Sequence, residues 1–92
     1  MINQLVTNCL NIVFNEQGLT NYEQGETIYG LNGKLNSLAL VRLIVELETQ
    51  IQEEFGHSII LTDNKVLSAK NSPFKDFDNL VAFVEQKIAE IG

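Results

Sequence analysis

The chain holds one histidine, His57, and one cysteine, Cys9, so its acid–base and nucleophilic chemistry has few places to reside. A Ser-His-acid triad would have to use His57, and Ser37 is the candidate nucleophile to weigh against it. The nineteen residues from Ser37 to Phe55 contain no Gly or Pro and repeat apolar side chains at helical spacing. Ser37 and His57 therefore stand at opposite ends of one helix, roughly 28 Å long at 1.5 Å per residue. A nucleophile and its base must approach to about 3 Å, so this pair cannot catalyse. His57 reads as a solvated residue beyond a helix C-terminus, where a cation is mildly favoured. One Cys and one His cannot build a Cys/His zinc site, and a single Cys excludes an intramolecular disulfide. Cys9 falls on an apolar stripe, which predicts a buried, unreactive thiol.

The remaining motifs are equally poor in catalytic chemistry. Gly30-Leu31-Asn32-Gly33-Lys34 has the look of a phosphate loop, but it lacks the Walker spacing and the following Ser or Thr, and no strand precedes it. A turn is the expected structure. The carboxylate pairs Glu53/Glu54 and Asp76/Asp78 are accounted for by a solvated helix face and a helix start. No convergent acid, base and nucleophile can be assembled, and a non-catalytic protein is expected. Ser37 is the exception of interest. A hydroxyl at the first position of a long helix faces unpaired backbone N–H groups and the positive end of the helix dipole. A phosphodiester carried there would be well accommodated, although an N-capping Ser by itself is common.

The elements that position these residues follow from periodicity. Ile2, Leu5, Val6, Cys9, Leu10 and Val13 predict a first helix over 2–15, stopped near Gly18. Residues 18–36 hold four of the six glycines and form a long loop, with room for one short helical turn. Tyr22, Ile28, Tyr29, Leu31 and Leu35 are its expected anchors. The helix over 37–55 carries the stripe Leu40, Ile44, Leu47, Ile51 and Phe55 with Leu43 at its edge. Asn36 or Ser37 caps its start and Gly56 ends it. Arg42, Glu46, Thr49 and Glu53 lie on its opposite face. Ile59–Thr62 resembles a strand but has no partner, so it is expected to be an extended segment on the core. Asp63 or Asn64 would cap a short helix through Val66 and Leu67. A loop containing Pro73 follows, and Asp78 would cap a last helix with Leu80, Val81, Val84 and Ile88 inward. The expected fold is a single all-α domain over 1–92, a small four-helix bundle of three longer helices and one short one, with the long helix as its backbone.

The chain's 92 residues, with 45% hydrophobic, bound the core to one small domain. Twelve acids against six bases give a net charge of −6, unsuited to nucleic acid or anionic membrane surfaces. The apolar fraction is too high for a disordered acidic tail. No apolar run approaches the roughly 18 residues of a membrane span, and no basic residue precedes Lys34 as a signal peptide would require. A cytoplasmic monomer with no stable membrane insertion is expected. Along the long helix, Leu38, Val41 and Val45 lie to one side of the main stripe, beside Arg42 and Glu46. Such an exposed apolar strip next to Ser37 would suit docking of a partner.

Leu35-Asn36-Ser37-Leu38, opening a long helix in a small acidic chain, resembles the Asp-Ser-Leu motif of acyl carrier proteins. The similarity runs through the first helix, the Gly-containing loop, LALVRLIVELETQIQEEFG and the final FKDFDNLVAFVEQKI. The resemblance implies 4′-phosphopantetheine attached to Ser37 by a separate phosphopantetheinyl transferase using coenzyme A and Mg²⁺. The thiol of that arm would carry an acyl chain as a thioester between acyl-activating or acyl-transferring enzymes. It also implies that Leu38, Val41, Val45 and Glu46 contact partners, with Arg42 among them. Asn36 departs from the family's Asp, which removes a charge used in transferase recognition. Arg42 stands where fatty-acid carriers often have an acid, and the later loop is enlarged. These departures point to a freestanding carrier in a specialised lipid, polyketide or related pathway. An aminoacyl or peptidyl carrier, and an unmodified carrier-like interaction module, are the alternatives.

Overall fold

The computed structural model describes residues 2–62, 66 and 72–91. Three helices follow in chain order: α1 (Ile2–Glu16), α2 (Ser37–Phe55) and α3 (Phe77–Ile91). The described residues are thus all-α, with no named strand among them. Of the expected short fourth helix, only Val66 lies among the described residues, buried and in a turn; its caps Asp63 and Asn64 and its end at Leu67 lie outside them.

The helix boundaries are set by local chemistry. α1 closes in a Schellman motif: the Leu19 N–H reaches the Phe14 carbonyl at 2.9 Å and the Gly18 N–H reaches Asn15 at 3.1 Å. Gly18 stands at φ 80°, which a side chain would oppose. α2 ends in the simpler left-handed cap, with the Gly56 N–H bonded to the Gln52 carbonyl at 2.9 Å. At the start of α3 the capping acid is Asp76, not the expected Asp78. Asp76 Oδ1 accepts the Asn79 N–H at 2.9 Å, and its carbonyl accepts from Leu80. Asp78 is the second residue of α3, within the first turn, where a negative charge suits the helix dipole.

Packing departs from the sequence expectation in one respect. α1, rather than the long α2, packs against both other helices, and α2 and α3 share no close backbone approach among the described residues. This is why α1 buries a wide face: Leu5, Val6, Cys9, Leu10, Val13 and Phe14. On α2, Leu40, Leu43, Ile44, Leu47 and Ile51 are buried. Leu43 is fully covered rather than marginal, while Phe55 is half-buried. On α3, Leu80 and Val84 are buried and Val81 and Ile88 are half-buried.

The connections complete the core. Ile59 and Leu61 point inward and Ile60 outward, as an extended segment requires. Glu48 Oε2 of α2 accepts the Leu61 N–H at 2.9 Å, which docks that segment without a sheet. In the first loop Ile28, Tyr29 and Leu35 are buried, and Tyr22 stacks on Phe77 and meets Phe14 edge-on. Leu31 is not an anchor. It is 68% exposed at the tip of the Gly30–Gly33 turn, where the chain reverses over solvent. The loop contains turns but no helical turn. Ala39 is tightly buried and Ala82 is exposed.

Candidate functional site

Ser37 occupies the first position of α2, and the cap before it is Asn36. Asn36 has extended backbone angles, and its Oδ1 accepts the Ala39 N–H at 2.8 Å while its carbonyl accepts from Leu40 at 2.9 Å. The amide does what a capping serine would otherwise do. The Ser37 hydroxyl is consequently exposed and makes no hydrogen bond among the described residues. The N–H groups of Ser37 and Leu38 belong to the first turn, which has no intrahelical acceptors. The exposed hydroxyl, the adjacent first-turn donors and the positive helix end together fit a phosphodiester on Ser37 Oγ.

The loop before Ser37 is held firmly enough to fix where the helix begins. The Leu35 N–H donates to the Ile28 carbonyl at 2.9 Å, and the Lys34 N–H donates to Thr27 at 3.1 Å. The Ile28 N–H then crosses to the Lys75 carbonyl at 2.7 Å, tying the loop to the entry of α3. That entry is ordered by Ser72, a buried polar residue that the sequence did not single out. Its hydroxyl donates to the Val66 carbonyl and accepts the Phe74 N–H at 3.0 Å. Phe74 is itself fully buried. No periodicity marks Ser72 in sequence, because its role depends on a carbonyl six residues away.

The Gly30–Lys34 segment is a tight turn, closed by the Gly33 N–H on the Gly30 carbonyl at 3.0 Å. Gly33 is required by close approach. A Cβ there would come within 2.6 Å of the Tyr29 backbone. Lys34 pairs with Glu26 at 3.7 Å, consistent with a structural turn.

Beside Ser37, the strip predicted on α2 is exposed. Leu38 is 81% exposed, Val45 50% and Val41 48%. Arg42, on the solvated face as expected, also bridges two helices. Its Nη2 donates to Glu16 Oε2 of α1 at 2.9 Å and to Glu46 Oε1, one turn on, at 2.8 Å. The Glu46 carboxyl is held below the usual carboxylate range, first by the Gln50 side-chain amide at 2.8 Å and then by Arg42.

The other candidate groups stay apart. His57 is exposed beyond Gly56, at the far end of α2 from Ser37. Cys9 is completely buried on α1, and that burial pushes its thiol up to about 12. Among the described residues no group of His, Cys, Asp and Glu is arranged to hold a metal ion. None of their helices is long and apolar enough to cross a membrane. A comparison with protein families, with curated proteins and with solved structures finds no match to the chain.

Proposed function

We propose that the chain is a freestanding acyl carrier, modified on Ser37 with 4′-phosphopantetheine by a separate phosphopantetheinyl transferase. The observation that carries this reading is the division of labour at the start of α2. Asn36 caps the helix, so the Ser37 hydroxyl is spared from capping and faces solvent beside an exposed apolar strip. When attached, the group supplies a flexible arm ending in a thiol that holds an acyl chain as a thioester. The residues of the chain do the rest. Asn36 and the first-turn N–H groups orient the attachment point, Leu38, Val41 and Val45 offer contact area, and the tied loop fixes their relative positions. The reading retains the four-helix arrangement of such carriers, a monomeric state, work in the cytoplasm, and no catalytic role for the chain itself.

Intact mass spectrometry after incubation with coenzyme A, Mg²⁺ and a broad-specificity transferase tests this directly. One added phosphopantetheine, lost in Ser37→Ala, is the expected result. No addition under conditions that modify a control carrier sinks the proposal and leaves an unmodified interaction module, for which Asn36 in place of an acid is the favouring observation. If Ser37 is modified, loading assays with acyl- and aminoacyl-activating enzymes separate an acyl from an aminoacyl or peptidyl carrier.

A further inference from the structure

We infer that Ser72 is a positioning residue for Ser37: its hydroxyl fixes the entry of α3, and that entry holds the loop that places the Ser37 Oγ. The inference rests on the carrier reading above and adds to it a residue far from the site in sequence. Ser72 is the one buried polar side chain among the described residues, 4% exposed. A hydroxyl in apolar surroundings is costly unless its hydrogen-bonding capacity is used. Here it donates to the carbonyl of the buried Val66 and accepts the N–H of the buried Phe74 at 3.0 Å. The Ser72 carbonyl takes a further bond from the Lys75 N–H at 3.2 Å. One residue thus closes the turn over 72–75. The Phe74 ring, edge-on to Phe83 at 5.8 Å, pins that turn to α3.

The closed turn aims the Lys75 carbonyl at the first loop. That oxygen accepts the Ile28 N–H at 2.7 Å and, more weakly, the Tyr29 N–H at 3.4 Å. Ile28 passes the constraint on, because its own carbonyl accepts the Leu35 N–H at 2.9 Å, two residues before Ser37. α2 and α3 make no close backbone approach among the described residues. The start of α2 is therefore set against the α3 side through this relay and not by direct helix packing. The relay includes none of Leu38, Val41 and Val45, the exposed residues of the contact strip. Loosening it leaves that strip in place but blurs the position of the hydroxyl. A misplaced nucleophile slows the bound reaction more than it weakens binding, so the loss falls on kcat and not on KM.

The test pairs amide exchange with the kinetics of Ser37 modification by the transferase, coenzyme A and Mg²⁺. Ser72→Ala strips the hydroxyl from both backbone partners. Exchange at Ile28 and Leu35 should then rise about tenfold more than at Leu47 of α2. In the same variant kcat should fall about fivefold, with KM for the carrier within about twofold of the unaltered chain. Val84→Ala, which opens a cavity in α3 but keeps the relay, is the control for general destabilisation. It should raise exchange evenly and leave kcat within about twofold. Thermal melts confirm that each variant folds. If Ser72→Ala does not, Ser72→Cys, whose thiol hydrogen-bonds weakly, takes its place with the same expected directions. An even rise in exchange, an unchanged kcat, a loss confined to KM, or an equal kcat loss in Val84→Ala overturns the inference while leaving the carrier reading intact. No phosphopantetheine on the unaltered chain overturns the carrier reading and the role given to Ser72 within it. Intact mass identifies that outcome before any variant is compared.

Discussion

Asn36 Oδ1 and the Ala39 N–H are 2.8 Å apart, so the first turn of α2 is closed by the residue before Ser37 and not by Ser37 itself. That places the stability of the helix start and the chemistry of the hydroxyl on different side chains. Asn36→Ala should cost about 1 kcal/mol in urea denaturation. Asn36→Asp should be nearly neutral in the same measurement, because Asp caps as well as Asn, while raising the rate of Ser37 modification. A large loss of stability in Asn36→Asp would show that the amide nitrogen makes a contact of its own.

Gly33→Ala probes the loop that delivers Ser37. The added Cβ meets the Tyr29 backbone, which cannot swing aside as a flexible side-chain tip could. A destabilisation of about 1–3 kcal/mol is expected. Amide exchange should rise at Ile28 and Leu35, whose N–H groups close the loop. Unchanged exchange at those amides would mean that the turn relaxes locally.

Glu48 should matter through its oxygen and not through its charge. Glu48→Ala leaves the Leu61 N–H without its acceptor and should cost about 1–2 kcal/mol. Glu48→Gln retains an acceptor and should recover most of that stability in the same denaturation series. Equal losses in both variants would assign the contact to charge.

Cys9 links stability to alkaline pH. Its thiol is pushed from 9.0 to about 12, first by burial and then by the nearby Glu46 carboxylate, with Arg42 opposing. Between those values the unfolded chain ionises and the folded chain does not. Folding therefore retains a proton that unfolding releases, and stability should fall as pH rises above about 9. A thiol reagent at pH 8 should accordingly modify Cys9 only as fast as the protein unfolds. Rapid labelling of the folded protein would contradict its burial.

The helices were legible because each depends on neighbours in sequence. The α2 boundaries at Ser37 and Phe55 follow from a capping residue, an uninterrupted helical period and a terminal glycine. The same logic erred by two residues at α3. Asp76 and Asp78 are both plausible caps, and only the backbone geometry selects between them. An apolar side chain within a loop gives no period by which to judge burial, so the exposure of Leu31 is not legible in the sequence. At the candidate site, Ser37 and the apolar strip could be found in sequence, whereas the partners of Arg42 and Glu48 could not. Glu16 lies 26 positions from Arg42, and Leu61 lies 13 from Glu48.

Local sequence is enough to specify the all-α class of the described residues, the three long helices, the buried thiol, the separation of Ser37 from His57 and the overall acidity. All of these are set by residue type and by spacing within single elements. Folding makes α1 the common packing partner, sets Lys75 and Ser72 to support the loop before Ser37, and brings Arg42 to two acids at once. Those relationships depend on which distant segments the buried apolar faces bring together. Local spacing carries no information about that choice. The acidic balance of the chain is a property of its composition, but the pairing of Arg42 with Glu16 and Glu46 beside the apolar strip comes from folding.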